Sequence, residues 1–176
     1  YGLADWKPER MKGAKRIANP GCFATAIQLA LLPLAQWKPA FVAVTAATGS
    51  TGSGAAPSDT THHPTRAHDF KAYKMLSHQH EAEVLRTLAS AGWEVPLSFV
   101  PQSAPMTRGI FATIQFPLPA GQSAESLKAH VEAFYADRFF VRVVEGSPRV
   151  AATLGSGFAD LSVVAKGGHG AILVAI

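Results

Sequence analysis

Apolar and polar positions along the 176-residue chain fall into blocks whose period changes several times. Ala26 to Leu34 is a near-continuous apolar run of helix-like composition, and Asn19-Pro20-Gly21-Cys22-Phe23-Ala24-Thr25 lies directly before it. Pro20 and Gly21 favour a tight turn at the mouth of that helix. Pro33 and Pro39 bracket a short connection, after which Phe41 to Thr45 reads as a buried strand. From Thr48 to Arg66 the chain turns small and polar, with Gly49, Gly52, Gly54 and Pro57. A loop this long and glycine-rich is expected to be functional. His68 to Leu76 reads as strand-like. Helical spacing follows from His80 to about Ala91, with Val84, Leu85 and Leu88 on one face and Gly92 as the stop.

Val95 to Pro101 and Gly109 to Leu118 are predicted as paired strands, the second alternating Ile110, Ala112, Ile114 and Phe116 with Phe111, Thr113 and Gln115. Ser123 then caps a predicted helix to about Asp137, whose Leu127, Val131, Phe134 and Tyr135 fall at helical spacing. Phe139 to Val144, Leu161 to Ala165 and Ala171 to Ile176 complete a strand-rich second half. The sum predicts an α+β fold, a mixed and largely antiparallel sheet with helices on one face. Such a sheet has more apolar surface than the predicted helices cover, so one face is expected to meet another subunit.

Composition narrows the class. Hydrophobic residues make up 48% and charged residues 16%, which excludes a disordered chain. The 16 Lys and Arg against 12 Asp and Glu are dispersed, which suits anionic small molecules and gives no nucleic-acid footprint. No apolar stretch approaches the roughly 20 residues of a membrane span, and no signal peptide is present. One cysteine excludes an internal disulfide framework and fits a reducing, cytoplasmic compartment. A start at Tyr1 and an end at Ile176 within an apolar run suggest one domain of a longer protein.

Cys22 is the strongest chemical candidate. A thiol at a helix start meets free backbone N–H groups and the positive end of the macrodipole, which favour the thiolate nucleophile. The alternative is a small buried core residue. Ser77-His78-Gln79-His80-Glu81-Ala82-Glu83 puts two imidazoles at a helix start, with Glu83 on the same helical face as His80. An imidazole can take the thiol proton and a carboxylate can orient the imidazole; otherwise these are surface histidines. His62, His63, His68, His78 and His80 crowd one span, but no His-x3-His spacing accompanies them, and a zinc site is not expected. Gly49-Ser50-Thr51-Gly52-Ser53-Gly54 offers backbone N–H groups and hydroxyls suited to an oxyanion, without the ending of a nucleotide-binding loop. Met106-Thr107-Arg108-Gly109 sets an arginine at a strand mouth, where its fork could hold a carboxylate or phosphate.

Taken in order, Asn19-Pro20-Gly21-Cys22, the Gly/Ser loop, His78-x-His80 with Glu83, and Pro105-Met106-x-Arg108-Gly109 resemble the N-acetyl-gamma-glutamyl-phosphate reductases of arginine biosynthesis. Tyr1-Gly2-Leu3 and Lys12-Gly13-Ala14 look like the same family's lead-in to its cysteine. The resemblance implies a catalytic and oligomerisation domain over residues 1–176, similar in fold to the C-terminal domain of glyceraldehyde-3-phosphate dehydrogenase. It also implies NADP held mainly by a Rossmann domain that this chain does not contain, an acyl-phosphate substrate, and a dimer or tetramer. Cys22 would form a thioester, with His80 or His78 as acid/base and Glu83 as orienter. Ser50, Thr51, Gly52 and Arg108 would bind the substrate's anionic groups. Ala24, the Thr48-Gly49-Ser50-Thr51-Gly52 loop and Gln102 depart from the common family pattern. N-succinyl, aminoadipyl and carrier-linked substrates therefore stay open as alternatives, beside a cysteine hydrolase and a non-catalytic interaction domain.

Overall fold

Helix α1 (Cys22–Leu31) begins at the cysteine itself and runs into a 3-10 turn, Leu32–Gln36. The computed structural model describes residues 2–176, excepting the His63 side chain; Tyr1 of the lead-in lies outside the described residues. In chain order there follow β1 (Val42–Thr48), α2 (His63–Arg66), β2 (Lys71–Ala72), α3 (His80–Ser90), β3 (Leu97–Ser103) and β4 (Ile110–Pro117). Then come α4 (Ala124–Tyr135), β5 (Val141–Val143), α5 (Val150–Thr153), β6 (Ala159–Lys166) and β7 (His169–Ala175). The strands form one sheet in the order β2-β3-β1-β4-β7-β6-β5, with β1–β3 and β5–β6 parallel and the other pairs antiparallel.

The expected β3–β4 pairing does not occur, because β1 lies between them. Val42, Val44, Ala46 and Thr48 are all buried, which suits β1 to an interior place with a neighbour on each edge. β3 runs parallel to β1, so the chain between them must cross over, and α3 is the helix in that crossover. The 104–109 connection then passes over the end of β1, with Ala104 N–H donating to the Thr48 carbonyl at 3.1 Å. The strand expected over 68–76 shrinks to two residues. Lys74 and Leu76 adopt positive φ, which breaks extended backbone, and Phe70, Met75 and Leu76 are exposed.

The buried face lines up across the sheet as Ala46, Ala112, Val174 and Leu161, in register. On it pack α1, α3 and α4, whose apolar stripes are Phe23-Ile27-Leu31, Val84-Leu88 and Leu127-Val131-Tyr135. Ser123 caps α4 in a reciprocal box with Ser126, and the helix ends at Tyr135, two residues short of the expectation. The Tyr135 hydroxyl donates to the Leu29 carbonyl at 2.6 Å, tying α4 to α1. The opposite face stays open: Thr45, Gln115 and Val164 are exposed, and Phe111 and Leu173 are half-buried.

Phe23 joins the two helix starts that carry the candidate chemistry. Its ring is buried at the first turn of α1, edge-on to Phe99 of β3 at 5.3 Å and to His78 at 5.5 Å. Each such aromatic pair contributes about 1 kcal/mol beyond its area. The contacts pin the start of α1 against the start of α3.

Candidate active site

Cys22 occupies the first position of α1, after Gly21 with φ −61° and ψ 156° as the N-cap. Gly21 has no side chain to cap the helix; instead its N–H donates to Glu83 Oε2 at 2.8 Å. This bond joins α1 to α3 across 62 residues and sets the cysteine beside the histidines. His80 presents Nε2 to Gly21 so closely that an ideal Cβ there would lie 2.5 Å from ring atoms Cδ2 and Cε1. Glycine is required at 21 because the catalytic candidate's ring fills the space a side chain would take. Glu83 Oε1 lies 3.9 Å from His80 Nε2, an ion-pair distance too long for a hydrogen bond.

His78 is 6% exposed, and its Nδ1 accepts from the His80 backbone N–H at 3.2 Å, placing the neutral ring's proton on Nε2. Burial, then the neighbouring His80, lowers the His78 pKa from 6.5 to about 4. His80 is also held below the ordinary imidazole value, by burial first, with Glu83 opposing; its Nδ1 is buried without a hydrogen-bond partner. Both rings are therefore neutral at pH 7, and His80 is the one whose Nε2 faces the cysteine's turn. The helix start lowers the thiol pKa as expected, but burial outweighs it and the net shift is upward. Cys22 is exposed, yet the surrounding mass pushes its pKa up; the backbone N–H groups of Phe23 and Cys22 oppose this, and the Glu83 charge adds to it. A thiol held protonated beside a neutral imidazole suits proton transfer on attack better than a standing thiolate–imidazolium pair.

The lowered His78 pKa makes stability depend on pH. Below pH 6.5 the unfolded chain binds a proton at this ring that the folded chain refuses until about pH 4. Its contribution is complete above 6.5 and is lost as the pH falls through that window, to a total on the order of 3 kcal/mol. Urea unfolding of His78→Gln at several pH values should show a correspondingly flatter acid limb than the parent; an identical slope would contradict it.

Cys22, Thr48 and Gly52 together separate two cavities. One, of about 520 Å³, is lined by Arg66, Lys71, Lys74, His78 and His80, with no acidic residue in its wall. The other, of about 340 Å³, is mainly apolar, with Leu29, Ile110, Phe140, Phe158 and Ile176. Of the expected anion-binding residues, Thr51 lines the apolar cavity and Gly52 lines both, while Ser50 lines neither. The glycine loop is not an open cradle. Gly49, Ser50 and Thr51 donate their N–H groups to the carbonyls of Gly109, Met106 and Thr107 at 3.0 Å, and the Thr51 hydroxyl also bonds Thr107. Gly49 is glycine because the backbone of Thr107 and Arg108 crosses it, 2.6 Å from where a Cβ would stand. The Arg108 side chain is exposed and lines neither cavity beside Cys22. Sequence reasoning missed Arg66, Lys71 and Lys74, whose approach to Cys22 arises only when the 48–66 loop folds back over the end of β1. Among the described residues, no three His, Cys, Asp or Glu side chains are placed to share a metal ion. Nor is any helix among them long and apolar enough to cross a membrane.

The model for the semialdehyde dehydrogenase dimerisation domain matches residues 22–176, beginning at this cysteine. The chain belongs to that family. Among curated relatives, the N-acetyl-gamma-glutamyl-phosphate reductase of Bacillus subtilis is 41% identical over 93% of this chain and 49% of its own length. That of Shouchella clausii is 38% identical over 99% of the chain and 52% of its length, and that of Methanosarcina barkeri is 36% identical over the same shares. The chain thus spans about half the length of the curated relatives it matches. Among solved structures, aspartate semialdehyde dehydrogenase II of Vibrio cholerae aligns with TM-score 0.75 at 13% identity, over 99% of this chain and 61% of that one. The Francisella tularensis aspartate semialdehyde dehydrogenase aligns with the same score at 11% identity, over 98% and 64%. The α+β fold expected from the residues is that of this semialdehyde dehydrogenase domain.

Proposed function

We propose that this chain is the catalytic and subunit-contact domain of an NADPH-dependent reductase that converts N-acetyl-gamma-glutamyl phosphate to the semialdehyde. The observation that carries the reading is the turn at Gly21. It sets Cys22 at the start of α1, packs Gly21 against the His80 ring, and bonds Gly21 to Glu83, which also faces His80. The names of the relatives supply the substrate.

In this reading His80 Nε2 takes the thiol proton as Sγ bonds to the acyl carbon; the carbon–oxygen bond to phosphate breaks, and phosphate leaves with the electron pair. The cationic cavity accommodates the substrate's two anionic groups, and the apolar cavity on the other side of Cys22 fits the face of a nicotinamide ring. Among the described residues no basic side chain lines that second cavity, and the sequence holds no dinucleotide fingerprint, so the cofactor's phosphates are assigned to a separate nucleotide-binding domain. NADPH, when bound, supplies a hydride to the thioester carbon. Cys22 and His80 then finish the reaction: the carbonyl re-forms, the carbon–sulfur bond breaks, and the proton on His80 returns to sulfur.

The open sheet face, with half-buried Phe111 and Leu173, supports a homo-oligomer built through this domain, in line with the family's description. A working free thiol supports a cytoplasmic setting. The test is the full-length protein assayed in the reverse direction with N-acetylglutamate semialdehyde, inorganic phosphate and NADP. Phosphate-dependent NADPH formation is expected, and reduction without any phosphate requirement would point to different chemistry.

A further inference from the structure

Three cationic side chains enter the cavity beside Cys22, and two of them are already engaged. Lys71 Nζ pairs with Asp69 Oδ2 at 2.9 Å, and Lys74 Nζ bonds Gln79 Oε1 at 3.2 Å. Arg66 differs. It is 8% exposed, it gives one Nη2–H to the Thr48 carbonyl at 3.1 Å, and its Nε is buried with no hydrogen-bond partner. No carboxylate bonds it among the described residues. Burying a guanidinium against a neutral carbonyl alone leaves much of its lost hydration unreplaced, so the structure keeps a charge that only an incoming anion balances. A guanidinium can hold a carboxylate at two points.

Where Arg66 lies in the cavity indicates which end of a substrate it meets. Cys22 and Arg66 line one cavity from different elements, the thiol at the first position of α1 and the guanidinium held under the Thr48 carbonyl at the end of β1. Tyr73 lines the same wall. The phosphate of an acyl phosphate is bonded to the carbon that Sγ attacks and must lie next to the thiol. The other anionic group lies several bonds away and needs a cation elsewhere in the same cavity, whose wall includes Arg66.

We propose that Arg66 is the receptor for the substrate's remote carboxylate, the charged group at the end opposite the acyl phosphate. This assignment rests on the acyl-glutamyl substrate proposed above, and it makes Arg66 a specificity determinant. A substrate without that carboxylate leaves the buried charge uncompensated, while one with a longer spacer misplaces the acyl carbon relative to Cys22. His63-Pro64-Thr65-Arg66 forms α2, so the short helix serves to aim the guanidinium back under Thr48.

The test uses the full-length protein with Arg66→Gln and Arg66→Lys, calorimetric titration of N-acetylglutamate and of its α-carboxamide, and reverse-direction kinetics. The parent should bind the α-carboxamide at least tenfold more weakly than N-acetylglutamate. Arg66→Gln should bind both equally weakly, and Arg66→Lys should recover part of the difference. In turnover, the KM for semialdehyde should rise at least tenfold in Arg66→Gln, with kcat changed less than threefold and the KM for inorganic phosphate unmoved. A raised phosphate KM with the semialdehyde KM unchanged overturns the assignment in favour of a phosphate receptor. Equal binding of acid and amide by the parent also overturns it. If the parent lacks turnover altogether, the reductase reading falls while the calorimetric comparison still decides Arg66. Should Arg66→Gln lose the far-ultraviolet circular dichroism of the parent, Arg66→Lys, which keeps a donor for Thr48, carries the comparison.

Discussion

Cys22→Ser in the full-length protein is expected to lower kcat by at least a thousandfold while leaving unfolding by urea within about 0.5 kcal/mol of the parent. The two halves of that expectation come from different facts. The side chain is exposed at the first position of α1, contributes nothing to the core, and is replaced by an atom of similar size. Serine's hydroxyl, however, is far less acidic than even the raised thiol, and the oxygen ester it could form accepts hydride less readily than a thioester. Without a sulfur nucleophile no thioester forms, and hydride has no activated carbon to reach. Steady-state assay of phosphate-dependent NADPH formation checks the first half, and retention of more than about one per cent of activity would remove Cys22 from the mechanism.

The second large effect concerns a residue with no chemistry of its own. Gly21→Ala is expected to reduce kcat by about a hundredfold or more and to cost about 1–3 kcal/mol of stability, the usual range for overpacking. Gly21 has φ −61° and ψ 156°, which alanine adopts freely, so backbone strain is not the cause. The added methyl would overlap the His80 ring, 2.5 Å from Cδ2 and Cε1. That ring cannot simply swing away, because His78 packs edge-on at 4.6 Å and Phe23 at 6.0 Å. Whatever gives, the imidazole leaves the turn that carries Cys22. Stability by urea unfolding separates this from general collapse: a variant with parental activity would show that His80 does not need its place against Gly21.

How far the sequence reveals this site depends on which interactions are local. Cys22 at a helix start and His80 with Glu83 on one helical face follow from short-range spacing, and the structure brings the two segments together. The alternation of Ile110, Ala112, Ile114 and Phe116 likewise fixes the buried face of β4. Strand neighbours are another matter. β3 and β4 follow each other in sequence and look like a hairpin, but β1 inserts between them, and that preference is global. The same strand explains why the glycine loop is closed. Its open donors exist only until the 104–109 segment crosses above it and takes them. The thiol pKa depends on a balance that helix position alone does not reveal, since burial outweighs the donors at the helix start. Arg66 is invisible in the sequence because nothing in a polar loop marks which of its charges will end up buried.

That loop divides the site into parts of unequal firmness. Cys22 hangs from a helix whose next two residues are buried, and Thr48 closes β1, an interior strand of the sheet. Residues 51–60, by contrast, are exposed without a break. Local opening in such a stretch costs only a fraction of the free energy of global unfolding, whereas α1 and β1 open only with the whole fold. Arg66 sits at the far end of the soft stretch and is moored by one bond to the hard one. The nucleophile and its base therefore keep their geometry when the cavity is empty, and ordering is demanded only of the wall that recognises the ligand. Evolution can accordingly rewrite the 51–66 segment for a different acyl chain without disturbing the turn at Gly21.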